Sequence, residues 1–351
     1  MIETPSCAWK LADLKAVPQN GLSVMSTFAC GGGSSMGYKR AGCTIVAAND
    51  IDPEMAWHYQ QNLKPPRYYL CPIRDLLTMD LPDELFALDI LDGSPPCSTF
   101  SMNGSREKTW GKEKHFREGQ AKQVLSDLFF DFLDLAARLR PRVVIAENVK
   151  GMIIGKAKGY TTLVMERFRE IGYRPQLFSV NAADCGVPQC RERVFFCAVR
   201  GDASKRKLEL APQCQWVSAG EACADVVKLT ADERMATAPA DNDLKCWART
   251  KPGKSYAAFL ERTENRLSSF TNIRLDRSRP SSTVIASDSL RHWSECRRLT
   301  FREIKRLGSF PDDYVAKDDR IGKYMVGMSV PPKMTEAVAR AVINQWLLPK
   351  G

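Results

Sequence analysis

The chain has 351 residues, 44% of them hydrophobic and 26% charged, with a formal net charge of +10. This length suits one large α/β domain with a smaller companion, and the apolar content excludes a disordered chain. The basic balance points to a polyanionic partner, nucleic acid above all.

Taken in chain order, short apolar strands alternate with amphipathic helices. "LSVMSTF" (22–28) reads as a strand running into the glycine cluster "ACGGGSS" (29–35), with a helix over 34–41. "TIVAAND" (44–50) is the next strand. A helix follows over 52–63, with Asp52 placed to cap it and Pro53 in its first turn. "LDILD" (88–92) is a strand. Apolar residues at helical spacing, Val124, Leu128, Phe132, Leu135 and Leu139, predict a helix over 120–139 that Pro141 stops. "VVIAEN" (143–148) reads as a buried parallel strand. A helix over 161–172 and the closing strands "QLFSVN" and "RVFFCAVR" complete the pattern. Strands alternating with helices predict a doubly wound, Rossmann-like α/β sheet over residues 1–200. Residues 201–278 are polar, basic and weakly periodic, a smaller irregular domain. Helical patterning returns at 300–310 and 332–348, so residues 279–351 form a C-terminal segment.

Twelve cysteines are scattered without a compact framework, and no C-x-x-C pair occurs, so reduced thiols and no metal site are expected. The N-terminus lacks an apolar signal core and no segment is long enough to span a bilayer. The expected setting is the cytoplasm.

Four constellations carry chemistry. The glycine-rich turn at Ala29–Gly33 lies between a strand and a helix, and Asp50 ends the next strand about 20 residues on, the offset of an acidic residue that meets ribose hydroxyls. The turn departs from G-x-G-x-x-G and no Arg pair for a pyrophosphate is evident, which favours an adenosine ligand without phosphates. In "DGSPPCSTFS" (92–101), Pro95 and Pro96 fix φ and remove two backbone donors. Cys97 therefore belongs on a rigid loop, the setting of a positioned nucleophile. None of the three histidines, His58, His115 and His292, stands in a Cys/His arrangement, so the thiol requires an electrophile activated separately. Glu147 in "ENV" ends a strand at the same sheet edge as the turn and Cys97. Gln189, Arg191 and Arg193 in "QCRER" alternate at a strand start and point to one face, suited to a base edge or a carboxylate.

The order "FACGGG", "SPPCS", "ENVKG", "QCRERVFF", a basic lobe, "RPSSTV" (279–284) and "VGMSVPP" (326–332) resembles the cytosine-5 DNA methyltransferase family over most of the chain. The resemblance implies a thiolate, Cys97, that adds to carbon 6 of a flipped-out cytosine. Carbon 5 then takes a methyl group from S-adenosylmethionine. It implies that Glu147 and Arg193 hold the base, that Arg191 and Gln189 support them, and that Pro96 and Asn148 line the base pocket. Cofactor contacts carry over to Phe28, Ala29, Cys30, Gly31, Gly32, Gly33, Asp50, Ile51, Ile73, Ser94 and Ser329. Cys30, Pro72 and Met328 depart from the family's usual glycine, aspartate and asparagine. Residues 98–119 match a loop that closes over DNA, with Ser101 and Arg106 suited to phosphates. Residues 201–278 match the target-recognition region, with Lys245 and Arg249 as candidate DNA contacts.

The implied protein is a monomer on double-stranded DNA, bacterial or phage in type, with a cognate restriction nuclease as candidate partner. The rival activities are cytosine-5 methylation of RNA and a catalytically idle nucleic-acid binder. The RNA branch usually carries Cys-Phe-Thr where this chain has "KCWART" (245–250), and idle relatives usually lose the Pro-Cys or Glu-Asn-Val element present here. A nicotinamide dehydrogenase would explain the turn but not Cys97, Glu147 and the arginines.

Overall fold

The computed structural model describes residues 7–96, 113–114, 123–124, 128–264 and 272–348. Contacts divide the chain into two units. The larger comprises Ala16–Val180, Glu192–Pro212 and Thr335–Gly351, and the smaller Met1–Lys15, Asn181–Arg191 and Gln213–Met334.

In the larger unit the strands are β1 (Ser23–Thr27), β2 (Thr44–Asp50), β3 (Tyr68–Leu70), β4 (Ile90–Gly93), a two-residue pair β5 (Glu113–Lys114) and β6 (Gln123–Val124), β7 (Val143–Val149), β8 (Tyr173–Asn181) and β9 (Glu192–Arg200). Seven of them form one sheet in the order β3-β2-β1-β4-β7-β9-β8. The pairs β3–β2, β2–β1, β1–β4 and β4–β7 are parallel, and β7 pairs antiparallel with β9. The sheet is therefore mixed, in an α/β fold. Its order reverses between β1 and β4, and a ligand crevice forms outside the carboxyl ends of the strands at such a switch point.

Alternation along the strands sets the two faces. Met25, Leu91, Val144, Ala146 and Phe196 pack in one buried cluster with Phe129, Phe132 and Leu135 of α3 (Leu128–Leu139) and with Val164 and Phe168 of α4 (Lys158–Glu170). The opposite face, with Ser26, Asp92 and Ile145, meets α1 (Gly33–Arg40) through Tyr38. Helix α2 (Pro53–Leu63) starts as expected: Asp52 accepts from Glu54 N at 2.9 Å and Met55 N at 3.3 Å, and Pro53 needs no donor there. Gln123–Val124, expected within a helix over 120–139, is instead the strand β6, paired with β5, and α3 is described over Leu128–Leu139; β3 was not foreseen. β3 has three residues and follows Pro65 and Pro66, too short a run for a period to register.

The smaller unit holds α5 (Ala219–Ala222), α6 (Ala231–Ala236), α7 (Asp241–Cys246), α8 (Ala257–Glu264), α9 (Phe301–Leu307) and α10 (Asp319–Met328). It also holds a small sheet of β10 (Lys254–Ser255), β11 (Ile273–Arg274) and β12 (Leu290–Arg291). Helix α11 (Pro332–Val342) crosses the division between the units. A carboxylate organises part of this unit. Asp243 is fully buried and accepts from Arg291 Nε at 2.6 Å, Tyr256 OH at 3.1 Å and Asn272 Nδ2 at 3.1 Å. Arg274 lies 3.7 Å from the Trp247 ring and donates to the carbonyls of Trp293 and Thr250.

The division departs from the expected 1–200, 201–278 and 279–351 in four places. Residues 279–334 share a unit with 213–278, residues 201–212 stay with the larger unit, and Met1–Lys15 and Asn181–Arg191 leave it. The departure of Asn181–Arg191 has a visible cause: Cys190 N donates to Ser281 O and Ser281 N to Pro188 O. Among the described residues no cysteine is in a disulfide, and no helix is long and apolar enough to cross a membrane.

Candidate active site

The turn after β1 is built on unusual backbone. Phe28, Cys30 and Gly32 all have positive φ, 51°, 46° and 82°. Two of them carry side chains, so the strain needs support. Asp50 supplies it: its carboxylate accepts from Cys30 N at 2.7 Å and from Asp52 N at 2.9 Å. Ala29 N adds a bond to Asn49 O at 3.0 Å. Burial raises the Asp50 carboxyl's proton affinity, opposed by these backbone donors. Gly32 caps α1 in the left-handed region, and a Cβ there would meet Leu63 Cδ1 at 2.3 Å. Gly32→Ala is expected to cost about 1–2 kcal/mol from its φ alone, read as a lower urea midpoint at unchanged slope. An unchanged midpoint would mean that the turn relaxes freely.

Around this turn lie the other cofactor candidates of the larger unit. Phe28 and Ile51 are half-buried, and Ile73 is buried in the main core cluster. Ser94 follows β4, so the turn and the Ser94–Pro96 segment occupy the two sides of the switch point. The set fits an adenosine group. Apolar side chains can flank a base, and a carboxylate with two oxygens can accept ribose hydroxyls besides its backbone donors.

Beside it, Glu147 near the end of β7 is 8% exposed. Arg193 near the start of β9 places Nε 2.9 Å from Glu147 Oε1, and the antiparallel register that pairs Val149 with Arg193 brings them together. Burial lowers the guanidinium's proton affinity, opposed by the charge and hydrogen bonding of Glu147. Glu147 Oε1 receives no aligned hydrogen bond among the described residues, which leaves it able to take a donor from a ligand. Asn148, expected in the base pocket, instead donates to Pro95 O at 3.0 Å and accepts from Val149 N. It ties the loop after β4 to the end of β7. Pro96 is exposed.

Arg191 and Gln189 are in the smaller unit, and their side chains serve its backbone. Arg191 donates to Val284 O at 2.8 Å and Gly327 O at 3.1 Å. Gln189 donates to Leu307 O at 3.1 Å and accepts from Val284 N at 2.9 Å. They knit the 279–284 and 326–332 motifs together. Strand β9 starts at Glu192, so the expected alternation covers Arg193 alone. Ser329 caps α10 in the smaller unit and donates to Met325 O at 2.9 Å. Lys245 and Arg249 are exposed on the smaller unit, Arg249 with its guanidinium 5.4 Å from the Phe259 ring. Cys97, Ser101 and Arg106 lie outside the described residues. Sequence reasoning missed Asp92 and Asp243, both buried acids with remote partners.

A glycine turn braced by an acidic residue lies at the switch point of an α/β sheet, and a buried Glu–Arg pair stands at the carboxyl end of β7 in the same sheet, the arrangement of an α/β enzyme with its site at the strand ends. Residues 22–344 match the family model for C-5 cytosine-specific DNA methylases, and the chain belongs to that family. Its activity is methyl transfer to carbon 5 of cytosine in DNA. The chain is 27% identical over 338 residues to the type II methyltransferase M1.HphI of Haemophilus parahaemolyticus, covering 92% of this chain and 87% of that protein. It is 28% identical over 341 residues to M.AplI of Arthrospira platensis, covering 94% and 88%. Among solved structures, the fold is similar to S. pombe Dnmt2 methyltransferase, with TM-score 0.64, 16% identity and coverage of 93% and 99%. It is similar also to Spodoptera frugiperda DNMT2, with TM-score 0.64, 17% identity and coverage of 92% and 100%.

Proposed function

We propose that the methyl donor is S-adenosylmethionine, held by the 28–33 turn, Asp50, Ile51 and Ile73. We propose further that Cys97, Glu147 and Arg193 activate a cytosine in a short DNA sequence. The observation that carries this reading is the buried Glu147–Arg193 pair at the sheet edge where the turn and the Pro-Pro segment meet. When bound, the donor supplies a sulfonium methyl, electrophilic enough for a carbon nucleophile. The protein's task is to make carbon 5 nucleophilic. The Cys97 thiolate forms a bond from Sγ to carbon 6, and its electron pair moves through the ring to carbon 5. Carbon 5 takes the methyl and the donor leaves as a thioether. Transfer of the carbon 5 proton to solvent water then releases its electron pair into the ring, expels Sγ as thiolate and restores the carbon 5–carbon 6 double bond.

Glu147 accepts from the exocyclic amine with one oxygen and shares a proton with ring nitrogen 3 through the other, so negative charge gathering on the ring meets that proton. Arg193 meets the ring oxygen and keeps Glu147 in place. Lys245 and Arg249 bear on DNA from the recognition region. The base must leave the stack because its carbons are out of reach within a duplex.

Labelled S-adenosylmethionine and cytosine-containing duplex DNA test the reading, with bisulfite sequencing of the product. Label in cytosines of one short context supports it and yields the recognition site. Transfer to RNA alone, or none to DNA by protein that binds the cofactor, overturns it.

A further inference from the structure

We infer that Asp92 is a positioning residue for methyl transfer, its buried carboxyl locking the 28–33 turn and the Ser94–Pro96 segment into one geometry from inside the sheet. This rests on the methyl-transfer reading above. Asp92 lies on β4, two residues before Ser94, and is 3% exposed. Its carboxyl takes two hydroxyl protons: Ser26 Oγ donates to Oδ2 at 2.8 Å and Tyr38 OH to Oδ1 at 3.0 Å. Ser26 is on β1, two residues before the turn, and Tyr38 is on α1 just after it. One carboxyl thus grips both ends of the turn. Its own backbone carbonyl accepts from Thr27 Oγ1 at 3.0 Å, a further stitch between the strands. Tyr38 is fully buried, and Tyr59 of α2 donates to Ser35 of α1 at 2.7 Å, so α1 has little freedom to shift.

The strand beyond Asp92 carries Ser94, Pro95 and Pro96, and Asn148 fixes Pro95 from the other side. The register pairing Asp92 with Ile145 puts Asp92 and Glu147 on one face of adjacent strands. A donor on one loop and an acceptor on the other react only within a narrow range of separation and angle, and a shift of about 1 Å can cost about 100-fold in rate. A buried acid is costly to maintain. Leucine at this position would fill the core, but it would bind neither hydroxyl.

The groups facing the carboxyl are Ser26 on β1, Tyr38 on α1 and Glu147 on β7, with Cys197 of β9 bearing on Tyr38. Burial pushes the Asp92 carboxyl up to about 7, with Glu147 adding to the rise and the two hydroxyls opposing it. The folded protein therefore holds a proton that the unfolded chain has lost between about pH 4 and pH 7. Stability contributed by that proton is full below the unfolded value and declines as pH rises to about 7.

Asp92→Leu, Tyr38→Phe and the double variant test the inference, with Asp92→Asn as the conservative variant. The leucine binds neither hydroxyl, whereas the asparagine keeps shape, its amide donating to one hydroxyl while its oxygen accepts from the other, and its rate should lie between the leucine variant and wild type. Expected are a fall in single-turnover methyl transfer of about 10- to 100-fold for Asp92→Leu and for Tyr38→Phe, with dissociation constants for S-adenosylmethionine and DNA within about twofold of wild type. The double variant should be little worse than either single, because both act through one contact. In protein without cofactor, Asp92→Asn should remove a decline in the folding equilibrium constant of about 100- to 1,000-fold between pH 4 and pH 7. Rates within twofold of wild type overturn the inference alone, as does a loss that follows cofactor affinity or melting temperature. Additive losses in the double variant do the same. Wild-type protein inactive on DNA overturns the methyl-transfer reading, and the inference with it.

Discussion

Glu147→Gln is expected to lower the rate of methyl transfer by about 100- to 1,000-fold, or ~3–4 kcal/mol, the loss typical when one donor or acceptor to a developing charge is removed. The side chain is nearly isosteric, and its pocket is formed by β7 and β9 with Arg193 beside it. Removing the carboxylate has two consequences. The base loses the carboxyl that shares a proton with its ring nitrogen 3, although the amide oxygen can still accept from its amine, and the Arg193 guanidinium, 15% exposed, is left without its counter-charge. The first affects the transition state, because charge on the ring builds as Sγ adds to carbon 6. Cofactor affinity should be unchanged, since no cofactor candidate bonds to Glu147. Cys97→Ser in the same assay sets the floor. A Glu147→Gln enzyme within about fivefold of wild type would remove Glu147 from the chemistry and reduce it to a structural ion pair.

How legible this site was depended on the range of the interactions that build it. The glycine turn, Asp50, Glu147 and Arg193 stand at strand ends, and strands announce themselves as apolar runs such as "VVIAEN" and "RVFFCAVR". A strand's end and a turn's composition are local signals. Arg191 and Gln189 show the limit. They sit within four residues of Arg193, and alternation put all three on one face, yet the chain between Asn181 and Arg191 bonds to a segment about 90 residues away. Periodicity reports the face of an element and is silent on which body the element joins. Asn148 was legible as a polar group at a strand end, but its partner, Pro95 O, is 53 residues distant. Asp92 reads in sequence as one acid in "LDILDG", with nothing to separate it from Asp89, which is bonded to Ser23 at the opposite end of β1. Only the register of β1 against β4, and the tyrosine one helix away, make it a buried hub. The irregular lobe was recognised by its lack of period, and for that reason nothing in its sequence disclosed what holds it together.

Asp243 holds it, and its removal carries the second large effect. Asp243→Ala is expected to destabilise the smaller unit by about 3–5 kcal/mol, the cost of breaking a buried ion pair by deleting one partner. Arg291 would remain, 6% exposed on its side chain, with Nε deprived of the carboxylate at 2.6 Å. Tyr256 OH and Asn272 Nδ2 would lose their acceptor together, and so would Ala240 N, which donates at 3.1 Å to the other carboxylate oxygen. Burial alone would raise the Asp243 carboxyl's proton affinity, but the Arg291 bond and charge and the hydroxyl and amide donors hold it below the ordinary range. The sign of the pH dependence follows. Stability from this group is complete above the unfolded value near 3.9 and is lost as pH falls through the lower folded value. Trp247 indole donates to His292 O within this unit, and its fluorescence would report the melting. The expected result is an early transition in that signal for Asp243→Ala, with binding to duplex DNA lost at temperatures where cofactor binding survives. Asp243→Asn, which keeps an acceptor for one or two of the four donors, should fall between. A destabilisation below about 1 kcal/mol in the alanine variant would mean that the aromatic and cation–π contacts around Trp247 and Arg274 carry the lobe without it.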